Sequence, residues 1–142
     1  MSFIETYRAA VAPADCDVLG HMNISRYFQA CSDGVLSFQT RLGLGISDLL
    51  HGRRLSLAAV RAESDFKSEI MAGEVISLRT CVEEIGGKTI LLRHRLYRVE
   101  EDILAFETKF RCVLLDLEQR RAVTIPDDIR AKAEEHLVTD LD

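Results

Sequence analysis

The stretch NISRYFQACSDGVLSFQTRLGLG, residues 23–45, decides how the rest of the chain is read. Tyr27, Cys31, Val35, Phe38 and Leu42 recur at steps of three or four. That spacing puts them on one face of a helix about four turns long. Asn23 or Ser25 can accept a hydrogen bond from the free N–H groups of the first turn, and the glycines of LGLG at 42–45 supply the helix end. Residues 46–51 can add a short helical turn.

On either side the period drops to two. FIETYRAAVA, residues 3–12, alternates imperfectly and reads as a strand ended by Pro13. Beyond the helix come four long strands at 55–67, 74–85, 88–99 and 103–117. They are separated by MAGE at 71–74, the Gly86–Gly87 hairpin pair and Glu100–Asp102. In the last strand Leu104, Phe106, Phe110, Cys112 and Leu114 share one face and Glu107, Lys109 and Arg111 the other. IPDDIRAKAEEHL, residues 125–137, reads as a terminal helix with Pro126, Asp127 and Asp128 in its first turn. Strands and helices do not alternate, which disfavours a parallel doubly wound sheet. An antiparallel sheet with one apolar face needs a cover, and only the long helix has the apolar surface to provide it. The expected class is α+β, one domain over 1–137 followed by a tail at 138–142.

Composition narrows the partners. The chain has 142 residues, is 47% hydrophobic and 29% charged, and carries a formal net charge of −5. A core of ordinary size fits that balance, and the acidic excess argues against nucleic acid or an anionic membrane as partner. Cys16, Cys31, Cys81 and Cys112 are far apart, with no CxxC or CxxH, which fits reduced thiols in the cytoplasm better than a zinc or disulfide framework. The opening MSFIETYRAA has an early acidic residue and no long apolar run, unlike a secretory leader. No apolar stretch reaches the length of a membrane span.

The segment DCDVLGHMNISRY, residues 15–27, resembles the D-x-D-x-x-G-H-x-N-x-x-x-Y signature of the 4-hydroxybenzoyl-CoA thioesterase family. GEVISLRT, EIGGKTILLRH and AFETKFRCVLLD resemble that family's later strands and hairpin. The resemblance implies the hotdog fold, an antiparallel sheet wrapped around one long central helix, and hydrolysis of acyl-CoA thioesters. By resemblance Asp17 is the carboxylate that attacks the thioester or activates a water, with Gly20 and His21 as the Gly-His pair. The backbone N–H groups at Asn23 and Ile24 would hold the oxyanion. Lys88 matches a hairpin residue that in some members reaches the CoA phosphates. Gly86 and Gly87 stand where some relatives carry further basic residues, which turns attention to Arg53, Arg54 or Arg61 for that work. Coenzyme A enters as part of the substrate and no separate cofactor is expected. A homodimer or homotetramer is implied both by the family and by the open sheet edges.

The residue types make chemical sense. A thioester needs an attacking oxygen, which a carboxylate provides, and a donor for the oxyanion, which a helix N-terminus provides. Gly20 would let the backbone come close to substrate, and His21 could hydrogen-bond Asp17 or the substrate carbonyl.

Each residue also has a plainer reading. Asp17 can be a loop cap, His21 a structural histidine, Lys88 a solvated turn residue and Asp33 a solvated helix residue rather than a wall of the acyl pocket. His94, between Leu92 and Leu96, reads as buried or at an interface with a partner, and Cys16 as packing. Asp15, Asp17 and His21 match no recognised metal-ligand spacing, and no metal is expected. A non-catalytic acyl-CoA binder and a hotdog hydratase or dehydratase are the alternative functions. The segment ETYRAAV with CDVLGHMN is similar to thioesterase segments associated with carnitine breakdown, which act on betainyl-CoA. A cationic acyl group would want acidic and aromatic walls, for which Asp33 and Tyr27 are the candidates.

Overall fold

The computed structural model describes residues 3–141. In chain order it contains β1 (Ile4–Ala10), a 3-10 turn (Pro13–Asp15), α1 (Ile24–Thr40), α2 (Ile46–His51), β2 (Leu55–Phe66) and β3 (Val75–Ile85). Then follow β4 (Thr89–Arg98), β5 (Ile103–Asp116), β6 (Arg121–Ala122) and α3 (Asp127–Glu134). The strands form one antiparallel sheet in the order β1-β3-β4-β5-β2, with β6 paired to β5. The sheet with α1 across its apolar face is the expected α+β hotdog arrangement.

α1 starts and stops for local reasons. The Asn23 side chain accepts Ser25 N–H at 2.9 Å, so Asn23 and not Ser25 is the cap. At the other end Gly43 takes left-handed backbone (φ +81), and Leu44 and Gly43 N–H fold back to Gln39 O and Thr40 O at 2.9 and 3.3 Å. Tyr27, Ala30, Cys31, Gly34, Val35 and Phe38 are buried against the sheet. Each large apolar side chain so buried contributes about 2 kcal/mol. Gly34 permits the closest approach: a Cβ there would lie 2.6 Å from Leu78 Cδ2 and 3.0 Å from Thr6 Oγ1.

The register fixes which end of the sheet carries what. At one end Ala10 pairs with Val75, Arg98 with Ile103 and Phe66 with Phe106. α1 begins there, where Met22 N–H donates to Ile70 O at 2.7 Å. It finishes at the opposite end, where Gln39 Oε1 accepts Leu57 N–H at 3.0 Å and where Gly86 and Gly87 close the β3–β4 hairpin.

Three expectations shift. The imperfect alternation of the first strand is a register break between Glu5 and Tyr7, which turns Thr6 into the core. Leu104 leaves the buried face of β5, because a second break makes Ala105 and Phe106 consecutive buried residues. The terminal helix is shorter than 125–137: after α3 the chain straightens, Val82 N–H donates to His136 O and Val138 N–H to Val82 O. That segment prolongs the sheet edge where β1 stops, so Val138 is tied to the sheet.

Polar residues sit on both faces. Towards α1, Thr6 Oγ1 lies 2.8 Å from Thr80 Oγ1, which lies 2.8 Å from Nδ1 of the fully buried His94. On the opposite face Arg93, 4% exposed, is held by Glu83 and Glu107 at 2.9 and 2.8 Å.

Candidate active site

The loop before α1 is a miniature hairpin. Cys16 and Met22 form an antiparallel bridge, Asp17 N–H donates to His21 O at 3.1 Å, and Gly20 N–H donates to Asp17 O at 3.0 Å. Closing so tight a turn needs left-handed backbone at Gly20 (φ +89). A Cβ at Gly20 would meet nothing within 4 Å. The backbone angle itself therefore requires a glycine here.

Asp17 is fixed at both carboxylate oxygens. Leu19 N–H donates to Oδ1 and Asn23 Nδ2 to Oδ2, both at 2.9 Å. The Asn23 amide first and the Leu19 N–H second hold the Asp17 carboxyl below the ordinary carboxylate value. Asn23 thus joins Asp17 to the helix end it caps. His21 does not bond that carboxylate; its Nδ1–H donates to Met22 O at 3.3 Å.

One of the two N–H groups expected to hold the oxyanion already has a partner. Asn23 N–H donates to Asp15 O at 2.9 Å and is taken. Ile24 N–H, first in the helix, has no partner among the described residues, as geometry requires of a first-turn donor.

A cleft of about 330 Å³ opens at this helix end. His21, Met22, Ile24 and Tyr27 form one wall, and Phe66, Lys67, Ser68 and Glu69 the other. Asp17 and Asn23 adjoin these residues in sequence and do not line the cleft themselves. The Tyr27 ring is set edge-on to Phe66 at 5.0 Å and lies 5.0 Å from Phe106. Burial first, and the Glu69 carboxylate second, push the Tyr27 phenol up. The second wall escaped the sequence reading. DFKSEI has no periodicity, and the bond from Met22 to Ile70 and the Tyr27–Phe66 ring contact reveal that it faces α1.

Other expected residues lie elsewhere. Asp33 accepts from Gln29 Nε2 at 3.1 Å, and Gln29 lines a separate groove against β1. Asp33 therefore stands on the same flank of α1 as Gln29 and does not line the cleft that Tyr27 lines. Arg61 lies on the sheet face away from α1, paired with Glu63 at 3.0 Å. Lys88 lies in the hairpin at the opposite end of the sheet. Arg53 grips Asp128 at 3.0 and 3.1 Å, and Arg54 pairs with Glu118 at 3.5 Å. Cys16 packs against the core with its thiol 3.9 Å from Ala12 O, while burial pushes the Cys31, Cys81 and Cys112 thiols up to about 12. Among the described residues no helix is long and apolar enough to cross a membrane.

The fold is shared with solved structures. A hypothetical protein from Staphylococcus aureus, solved in complex with CoA, superposes with a TM-score of 0.85 at 18% identity, over 100% of this chain and 91% of its own. A 1,4-dihydroxy-2-naphthoyl-CoA thioesterase from Synechocystis gives 0.77 at 17% identity, over 91% and 94%. A thioesterase-superfamily protein from Jannaschia gives 0.83 at 21% identity, over 94% and 92%. No curated protein matches the chain by sequence. The family model described as the thioesterase-like superfamily matches residues 11–133. With the hotdog sheet, the capped helix and the carboxylate loop in place, the chain belongs to the thioesterase-like superfamily.

Proposed function

We propose that this chain hydrolyses acyl-CoA thioesters, with Asp17 as the reacting carboxylate and Ile24 N–H as an oxyanion donor. One observation carries the reading: Asn23 ties the Asp17 carboxylate to the helix end whose first N–H is free, beside an aromatic cleft. The helix dipole and the Ile24 N–H favour negative charge on a carbonyl oxygen placed there. An Asp17 oxygen attacks the carbonyl carbon, the C–S bond breaks, CoA leaves as the thiolate and takes a proton, and water then opens the mixed anhydride. The alternative route has Asp17 take a proton from the attacking water. A lowered carboxyl pKa favours the first route, because the anion is present at neutral pH but is a weak base. Single-turnover hydrolysis in ¹⁸O-water decides: label appears in the Asp17 side chain only if the anhydride forms.

The site is completed by a second copy. β2 is a sheet edge with Ala59 to Glu63 exposed, and Ile24, Leu36 and Phe66 leave apolar surface beside it, 56%, 54% and 51% exposed. Two β2 edges paired antiparallel bring one end of each sheet beside the opposite end of the other. The second copy's hairpin, with its Lys88, then approaches the cleft and the CoA phosphates.

A cationic acyl group suits the cleft. Tyr27 and Phe66 offer ring surface, and Glu69 supplies the carboxylate that Asp33 does not. CoA release from betainyl-CoA, acetyl-CoA and benzoyl-CoA tests this. A protein that binds these compounds tightly and releases no thiol would be the non-catalytic binder instead.

A further inference from the structure

We propose that Arg98 is a positioning residue for the cleft, acting through the loop of residues 67–74. Arg98, at the end of β4, does not line the cleft. Its Nε donates to Glu74 Oε1 at 2.7 Å and its NH1 to Ser68 Oγ at 3.0 Å, with Glu101 Oε1 3.6 Å from NH2. Glu74 passes the hold on, since its Oε2 accepts Met71 N–H at 2.7 Å.

The two grips, at Ser68 and Met71, bracket Ile70. The Ile70 side chain is fully buried, and its carbonyl accepts Met22 N–H at 2.7 Å. That is the backbone bond joining the two walls. Met22 lies between His21 and Asn23, so the position of Ile70 O bears on the cleft wall, the cap of α1 and, through Asn23, the Asp17 carboxylate. The loop's start is anchored separately: Lys67 and Ser68 N–H share one acceptor, Ala105 O, at 2.7 and 3.1 Å, and Lys67 Nζ lies 3.9 Å from Glu107 Oε1, so the grips of Arg98 bear on the residues that follow. Arginine suits the task because its planar fork directs two bonds at fixed angles, whereas a lysine ammonium carries the charge without that geometry. The effect on turnover rests on the thioesterase reading above, while the effect on the loop does not.

The experiment combines amide hydrogen exchange with steady-state kinetics on the full chain, for Arg98→Lys and Arg98→Gln. Met22 N–H should exchange about tenfold faster in both variants, while Leu92 and Leu96 in the sheet keep their rates. Turnover should fall about tenfold with KM little changed, as expected of a misplaced rather than a missing reacting group. Ser68→Ala, which removes one grip and keeps the ion pair, should shift Met22 exchange the same way by less. Unchanged Met22 exchange, full rescue by lysine, or equal acceleration across the sheet would overturn the proposal. Should the unaltered protein release no thiol, the thioesterase reading fails and Met22 exchange still decides the role of Arg98.

Discussion

Asn23 uses both ends of its side-chain amide, the oxygen to cap α1 and the nitrogen to hold Asp17. The two functions separate in Asn23→Asp. Aspartate caps as well as asparagine, so helix stability should hold within a few tenths of a kcal/mol. It also sets a carboxylate against Asp17, which should turn the lowered Asp17 pKa into a raised one and move the acid limb of activity to higher pH. Carboxyl titration by NMR and a pH–rate profile check this, and an unmoved limb would contradict it. His94 gives a second pH prediction. Burial pushes its imidazole down to about 3 from an ordinary 6.5. The neutral ring is kept in the fold, so its contribution is complete above pH 6.5 and lost as pH falls from there towards 3, by up to about 1.4 kcal/mol per pH unit. Between pH 6.5 and 5, above most carboxylate titrations, His94→Leu should flatten denaturant midpoints plotted against pH. That Asp17, Gly20 and Asn23 form one cluster was legible because their spacing is local. The flank of Asp33, the sheet face of Arg61 and the partner of the Asn23 N–H were not, because they are set by segments remote in sequence.

At the scale of elements, period and turn chemistry carried most of the reading. The helix face, the glycine end at Gly43 and the hairpin at Gly86–Gly87 all follow from residues within a few positions. Register breaks at Thr6 and Ala105 did not, since a bulge answers the partner strand rather than its own sequence. The turn at 71–74 was legible, but the contact of the preceding residues with the start of α1 was not, for the same reason. Gly34 tests how closely α1 must approach the sheet. Gly34→Val adds a side chain where even a Cβ meets Leu78 and Thr6, and should destabilise by about 1–3 kcal/mol in urea unfolding with the m-value unchanged. Gly87→Ala is the matched control: a Cβ there meets nothing within 4 Å, so stability should stay within about 0.5 kcal/mol.

The whole molecule divides its labour between the two ends of one sheet, with the carboxylate loop at one and the Lys88 hairpin at the other. In the proposed dimer, an antiparallel pair through β2 brings the two ends together. Val60, 61% exposed on that edge, is the place to break the pair. Sedimentation should give a mass of twice the chain, and Val60→Glu should shift it to a single chain and take activity with it. The order of elements, and with it the fold, was readable from the sequence. The second wall of the cleft was a matter of three-dimensional register. The central claim is that Asp17 performs the hydrolysis. Its most direct test is CoA release from an acyl-CoA panel by the unaltered protein and by Asp17→Asn, which keeps the size but removes the charge and leaves one acceptor oxygen where the carboxylate has two. Turnover should fall by about 10²–10⁴-fold with the fold intact by circular dichroism, and retention of most activity would contradict the account.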